Sequence, residues 1–224
     1  KIYGESIIMR IFYDVETQKD FMDLGAPMYA KGVEIIRPAL GQLTQYAKDN
    51  GIMLVGGMDV HFGTPEYSHR EVELIVNGGP FPMHTKKGTE GLRKIPETDF
   101  GGIIHPHYLD EHIDLEIFKQ GLKQRGILFE KQMYDIHTNP AVGEFMNYAK
   151  IDEAVVYGVL TDWCVKDAVL GMQKNGIQTY VVNEGIYALE ANPGDTKKAV
   201  NDMERAGAEF VNLKDVLEGK IWRS

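Results

Sequence analysis

The single cysteine of the chain, Cys164, follows a glycine-containing turn at the start of a predicted helix. Helix N-termini stabilise anions and lower the pKa of a thiol, and their free backbone N–H groups can hold an oxyanion. A thiolate in that position is a nucleophile that needs a partner for proton transfer. Cys164 is therefore a candidate nucleophile, and the alternative is a small buried apolar residue.

Two charged residues lie at the ends of predicted strands elsewhere in the chain. Asp14 is the penultimate residue of the run IIMRIFYDV, and Lys131 ends a run that begins at Gly126. A carboxylate at the end of a buried strand is costly unless it is paired, and Lys131 is the candidate pair. Asp14 is thus the predicted base for Cys164, and the alternative is a structural ion pair beside an inert thiol.

A third group of residues has the chemistry of a metal site. Asp59 and His61 lie two positions apart on an extended segment, so their side chains point the same way, and His84 follows across a long loop. Carboxylate with imidazole suits zinc, iron or manganese. The sequence does not choose among the candidates for a fourth ligand, which are Glu66, His69, Glu71 and Glu73. The alternative is a polar loop with solvated histidines.

Short apolar runs alternate with helical patterns, which predicts a single α/β domain over residues 1–224 with a mainly parallel sheet. Six strands are expected, at 7–15, 52–58, 126–130, 154–159, 179–182 and 209–212. Two segments, 62–97 and 99–114, fit no element and are interpreted as loop insertions. Because ligands bind at the carboxyl ends of parallel strands, the candidate residues should converge on one rim of the sheet.

Composition narrows the classes of partner. The 224 residues carry a formal net charge of −9, so nucleic acid and anionic membrane are poor candidates. No apolar run approaches the roughly 20 residues of a membrane span, and the first ten residues do not resemble a secretory signal. One cysteine excludes an internal disulfide and indicates a reducing, cytoplasmic compartment.

Further histidines and aromatic residues are candidates for a lid over the site or for the walls of a substrate pocket. His105, His107 and His112 are interpreted as part of a surface loop, with a lid over the site as the alternative. Three aromatic side chains could form the walls of a pocket for a flat ring substrate: Phe21, Phe81 and Trp163. The alternative for each is an ordinary place in the hydrophobic core.

Three motifs resemble those of the isochorismatase-like hydrolase superfamily and occur in the same order. Along the chain they are Asp14-Val15 followed by Asp20-Phe21, then Phe129-Glu130-Lys131 followed by Tyr134, and then Gly158-Val-Leu-Thr-Asp-Trp-Cys164. Within this superfamily the metal motif is similar to that of the nicotinamidases. It comprises Asp59-Val60-His61, Phe81-Pro82-Met83-His84 and Gly88-Thr89-Glu90-Gly91.

The resemblance implies a three-layer α/β/α fold and a cysteine amidohydrolase that converts nicotinamide to nicotinate and ammonia. It implies Asp14 as base, Lys131 as charge partner and Cys164 as nucleophile. A cis bond between Val159 and Leu160 is also implied, and the N–H groups of Leu160 and Cys164 would form the oxyanion hole.

The resemblance further implies one divalent metal, zinc before iron or manganese, on Asp59, His61 and His84. The substrate pocket would contain Phe21, Phe81, Tyr134 and Trp163. Family members often self-associate, so a homo-oligomer is considered, although no interface pattern is visible in this sequence.

The sequence also departs from the family pattern. Two extra residues separate Asp14 from Phe21, the stretch from His61 to His84 is longer, and His137 stands where a small or aromatic residue is usual. Three rival hypotheses remain: a sibling amidase for another small amide, a metal-water hydrolase with an incidental cysteine, and a non-catalytic binding protein.

Overall fold

Seven parallel strands form one sheet in the described part of the chain, in the order β3-β4-β2-β1-β5-β6-β7. The structure is a computed structural model that describes residues 8–107 and 113–222. The strands are β1 (Met9–Val15), β2 (Met53–Asp59), β3 (Ile103–His105), β4 (Gly126–Lys131), β5 (Ile151–Val159), β6 (Gln178–Tyr187) and β7 (Glu209–Val211).

The prediction of six strands is corrected by β3, which lies in the segment 99–114 that was expected to be a loop. Only three residues form this edge strand, which pairs with β4 alone. A run that short has too few residues to produce an alternating pattern.

Seven helices accompany the strands among the described residues. They are α1 (Lys19–Met22), α2 (Arg37–Asp49), α3 (Leu115–Gln124), α4 (Pro140–Ala149), α5 (Lys166–Lys174), α6 (Asp195–Arg205) and α7 (Leu213–Leu217). The sequence pattern predicts a short helix over residues 115–124, and α3 has these bounds. Asp114 caps this helix by accepting from the N–H groups of Glu116 and Ile117. Helices α1 and α7 are too short to show a helical period.

The helices cover both faces of the sheet, which confirms the predicted three layers. Helices α3 to α6 pack on one face, where Phe118 and Val169 enter the core. Helices α1, α2 and α7 pack on the other face, where Leu40 and Val216 enter a second core. No helix in the described ranges is long and apolar enough to cross a membrane.

Side chains of β1 alternate between these two cores. Tyr13 and Val15 join the core beneath α3 to α6, whereas Phe12 joins the opposite core. Asp14 shares the side of Phe12, because residues two apart in a strand point the same way. This alternation decides to which face of the sheet each polar side chain near the end of β1 points.

The central strands end together at one edge of the sheet. Val15 pairs with Gly57 on one side and with Gly158 on the other, and Asp59 pairs with Lys131. Gly158 has φ 124°, and a Cβ atom there would lie 2.1 Å from the carbonyl oxygen of Val15. Only glycine allows β5 to pass so close to the end of β1.

Candidate active site and metal centre

Cys164 lies in a π-helical turn, Thr161–Val165, that joins β5 to α5. The peptide bond between Val159 and Leu160 is cis, which confirms the predicted geometry. The carbonyl oxygen of Leu160 accepts hydrogen bonds from the N–H groups of Trp163 and Val165. The turn therefore presents a nearly buried thiol at the carboxyl edge of the sheet.

Lys131 is fully buried at the end of β4 and contacts three acidic groups. Its Nζ atom is 3.0 Å from Glu16 Oε1, 3.4 Å from Asp59 Oδ1 and 3.7 Å from Cys164 Sγ. Burial lowers the pKa of Lys131, but electrostatic interactions with Asp59, Cys164 and Glu16 outweigh that effect and hold the pKa well above its usual value. Lys131 thus stays protonated inside the site.

Glu16 supplies the carboxylate beside the cysteine. It follows β1 with φ 51°, is 1% exposed, and interacts with the thiol of Cys164 as well as with Lys131. Its Oε2 atom is buried and makes no hydrogen bond to any described residue. Burial raises the pKa of Glu16 to about 7, with Lys131 partly opposing that effect.

The predicted ion pair between Asp14 and Lys131 is wrong. Asp14 Oδ2 lies 3.0 Å from Lys94 Nζ instead, and the Thr17 hydroxyl donates to Asp14 Oδ1 at 2.8 Å. The physical reason is strand alternation, which turns Asp14 to the other face of the sheet. Glu16 lies beyond the strand in a left-handed conformation, where that alternation no longer applies.

A signal for Glu16 was present in the sequence. Compared with the family pattern, two extra residues separate Asp14 from Phe21. Counting back from Phe21 without those two residues puts the carboxylate of the motif at Glu16.

The surroundings of Cys164 favour its protonated thiol. Burial raises the pKa of Cys164 well above its usual value, the negative charge of Glu16 raises it further, and Lys131 opposes both. The expected lowering of the thiol pKa by the helix N-terminus is therefore not dominant. A nucleophile in this state requires a neighbouring base to remove its proton.

Four buried side chains come together as a candidate metal site. Each offers one ligand atom, and these atoms lie within 4.8 Å of one another; the residues are Asp59, His61, Glu73 and His84. His84 Nε2 is 2.9 Å from Asp59 Oδ2, and His61 Nε2 is 2.8 Å from Glu73 Oε1. The structure thus brings the three predicted ligands together and adds Glu73.

The other candidates for the fourth ligand lie outside this group of four. Glu66 and His69 are exposed. Glu71 is buried with its Oε1 atom 3.6 Å from His61 Nδ1, and its carboxylate accepts hydrogen bonds from the N–H groups of Phe62 and Gly63. Since all four candidates lie in one loop without helical or strand periodicity, the sequence could not distinguish them.

The ligand set fits a divalent cation. Both ring nitrogens of His61 and the Oε1 atom of Glu73 are buried. His61 Nε2 lies 2.8 Å from Glu73 Oε1, but none of these three atoms has hydrogen-bond geometry to any described residue. Buried polar atoms normally have partners, and a metal ion would supply one here. Two imidazoles with two carboxylates suit zinc, iron or manganese.

The four predicted pocket residues surround a cavity between the thiol and the metal ligands. Its lining includes Phe21, Phe81, Tyr134 and Trp163 together with Cys164, His84, Asp59 and Glu73. The ring centroid of Trp163 is 5.2 Å from that of Phe81 and 4.8 Å from that of Tyr134. These aromatic walls suit a single flat ring.

The second group of histidines lies apart from the metal ligands. His105 and His107 are buried, so their interpretation as surface residues is wrong, and His112 lies outside the described residues. His107 Nε2 is 2.7 Å from Arg70 Nη1, and burial together with that charge lowers the pKa of His107 to about 4. His137 packs against α5, with Nε2 3.4 Å from the carbonyl oxygen of Ala168.

Known proteins resemble this chain in sequence and in fold. Residues 106–215 match the Isochorismatase domain family. The chain is 32% identical over 215 residues to the nicotinamidase of Escherichia coli, covering 90% of this chain and 93% of that protein. The pyrazinamidase of Pyrococcus horikoshii in complex with zinc matches with a TM-score of 0.71 at 18% identity, covering 91% and 99% of the two chains. PnC1 of L. infantum in complex with nicotinate matches with a TM-score of 0.68 at 16% identity, covering 93% and 95%.

Proposed function

The chain belongs to the nicotinamidase family of isochorismatase-like hydrolases, and we propose that it converts nicotinamide to nicotinate and ammonia through a thioester on Cys164. One observation carries this proposal. A single cavity is lined by the Cys164 thiol and by Asp59, Glu73 and His84 of the candidate metal site. A ring held at one end of that cavity would bring its amide group to the thiol at the other end.

The first half of the reaction forms the thioester. Glu16 takes the thiol proton, and the Cys164 sulfur attacks the amide carbon. Backbone N–H groups of Leu160 and Cys164 stabilise the oxyanion. Glu16 then returns the proton to the amide nitrogen, the C–N bond breaks and ammonia leaves.

The second half of the reaction restores the enzyme. Glu16 takes a proton from a water molecule, and the resulting hydroxide attacks the thioester carbon. The C–S bond breaks, the proton on Glu16 returns to the sulfur, and the acid product loses its own proton to solvent and leaves as nicotinate. Lys131 remains protonated and stabilises both the carboxylate and the developing thiolate.

A divalent metal, which we propose to be zinc, would be held by Asp59, His61, Glu73 and His84 and would act as a Lewis acid that anchors the ring nitrogen. Phe81 and Trp163 support this orientation, since their rings flank the same cavity.

The decisive experiment is ammonia release from nicotinamide by purified protein, before chelation, after chelation and after zinc is added back. We expect release that is lost on chelation and recovered with zinc. Benzamide is the matched control, because it has the same carboxamide without the ring nitrogen, and it should react far more slowly. Absence of release from folded, zinc-loaded protein would contradict nicotinamide as the substrate.

Cys164→Ser separates this mechanism from attack by metal-bound water. We expect the variant to retain its metal and to lose turnover. Substantial turnover by the metal-loaded variant would contradict the thioester mechanism.

A further inference from the structure

A second buried pair of a carboxylate and an ammonium lies beneath the active site and has no part in the mechanism above. Asp14 Oδ2 is 3.0 Å from Lys94 Nζ, and their side chains are 0% and 3% exposed. Removing two charges from water is costly, so a buried ion pair is weak evidence for a contribution to stability. The Asp14–Lys94 pair lies close to Glu16, the proposed base, which points to another role for the pair.

The pair is joined to the turn that carries Glu16. The Thr17 hydroxyl donates to Asp14 Oδ1 at 2.8 Å and lies 2.5 Å from the Thr98 hydroxyl. Lys94 Nζ donates to the carbonyl oxygen of Gly57 at 2.8 Å, which ties the pair to β2. The residue directly after Glu16 is therefore anchored by two side chains and, through Lys94, by a neighbouring strand.

The far side of the turn is anchored as well. The Gln18 side chain accepts from the N–H group of Asp59 and donates to its carbonyl oxygen, both at 2.8 Å. Glu16 thus stands next to two fixed residues, Thr17 and Gln18, although its own side chain extends toward Lys131 and Cys164.

Glu16 adopts φ 51°, a conformation that residues with side chains rarely take. Such conformations persist where the surrounding structure enforces them. We propose that Asp14 and Lys94 are positioning residues that act through Thr17 to hold the Glu16 carboxylate against the Cys164 thiol.

The geometry of proton transfer explains why this matters. A base must lie within hydrogen-bond reach of the proton that it removes, and a shift of about 1 Å can cost about 10²-fold in rate. Ring binding uses the other end of the cavity, which these residues do not contact. Loosening the turn should therefore lower kcat and leave KM nearly unchanged.

Thr17→Val is the mildest test, since it removes the hydroxyl and nearly keeps the shape. We expect kcat for nicotinamide to fall by about 10²-fold with KM within about twofold of the native value. Thr17→Ser keeps the hydroxyl and should retain most of kcat. A rise in KM with kcat unchanged, or equal losses in the two variants, would overturn the proposal.

A double-mutant cycle tests whether Asp14 acts through Glu16. The readout is the rate at which iodoacetamide alkylates Cys164, which needs no turnover. Asp14→Asn should slow alkylation about tenfold in the native background and less than about twofold in the Glu16→Gln background, because coupled residues are not additive. Equal effects in both backgrounds would show a merely structural role.

Glu153→Gln is the matched control for loss of a buried carboxylate. Glu153 pairs with Arg10 at 2.7 Å at the opposite ends of the same strands. We expect it to lower thermal stability without changing kcat or the alkylation rate. The positioning role rests on the proposed function only for kcat: if native protein did not hydrolyse nicotinamide, that function would fail, whereas the alkylation cycle would still decide the role of Asp14.

Discussion

Glu16 has the properties that a general base requires. Burial raises the pKa of Glu16 to about 7, close to neutral pH, and burial also raises the pKa of the neighbouring Cys164 thiol. The Oε2 atom of Glu16 has no hydrogen-bond partner among the residues described, so it is free to accept a proton. Asp14 has no such free oxygen, since Lys94 pairs with its Oδ2 and the Thr17 hydroxyl donates to its Oδ1.

Glu16→Gln should lower kcat by roughly 10²–10⁴-fold, the usual contribution of general acid–base catalysis. In the native protein kcat/KM should fall as the pH drops below about 7, because protonated Glu16 cannot accept the thiol proton. Steady-state kinetics of metal-loaded protein across pH would measure both effects. Glu16→Asp, which keeps a carboxylate, should retain an acidic limb at a reduced rate. Native-like turnover by Glu16→Gln would exclude Glu16 as the base.

At the residue scale, the sequence predicts the types of chemical group that meet at the candidate site, but it does not identify every residue that supplies one. Cys164, Lys131 and Asp59 converge as expected, because Lys131 and Asp59 end strands and Cys164 lies in the turn that follows β5. The sequence does not predict the role of Glu16, because the direction of its side chain depends on the backbone φ angle of a single residue beyond the end of β1. The alternation of apolar and polar residues in a strand contains no information about that angle. Glu73 was not singled out because tertiary placement of the loop decides the ligand.

At the scale of elements, the close approach of β1 and β5 brings Glu16 and the cysteine turn together. Both follow the paired residues Val15 and Gly158 directly or within a few positions. A small displacement of either strand would therefore separate the proposed base, Glu16, from the proposed nucleophile, Cys164.

Gly158→Ala tests this approach. The added Cβ atom would lie 2.1 Å from the Val15 carbonyl oxygen at φ 124°, so we expect destabilisation above about 3 kcal/mol and loss of turnover. Urea unfolding and ammonia release are the measurements. Gly143→Ala is the control, because it lies in α4 with open space around its Cβ position and should stabilise by about 0.5–1 kcal/mol. A folded, active Gly158→Ala protein would contradict the argument.

The length of an element decided how well it could be predicted. Helix α3 has a clear apolar period and a capping aspartate, and its bounds match the sequence. Strand β3 and helices α1 and α7 have three, four and five residues. Such short runs have too few residues to show the two-residue period of a strand or the 3.6-residue period of a helix. Their positions follow from packing against neighbours that the sequence does not reveal.

At the scale of the whole molecule, the candidate metal site joins the sheet to the loop 62–97. Asp59 ends β2, whereas Glu73 and His84 belong to that loop, which has only single-turn helices in the structure. A bound cation would therefore cross-link two parts of the fold that share few regular hydrogen bonds.

Metal binding should raise thermal stability accordingly. Zinc at about 1,000 times its Kd would contribute about 4 kcal/mol, which corresponds to roughly 10 °C for a chain of this size. Calorimetry of chelated and zinc-loaded protein measures the difference. Glu73→Gln should reduce the increment, whereas Glu66→Gln, an exposed carboxylate in the same loop, should leave it unchanged. Equal melting temperatures with and without zinc would argue against the site.

The contacts of Lys131 have an electrostatic consequence for product release. Its single positive charge, together with two from a divalent cation, balances the three negative charges of Glu16, Asp59 and Glu73. An uncharged amide enters without disturbing that balance, and moving a proton from the thiol to Glu16 preserves it. The acid product adds one negative charge that nothing in this set neutralises. Unbalanced charge is costly away from water, so the same arrangement that admits a neutral substrate favours departure of its anionic product.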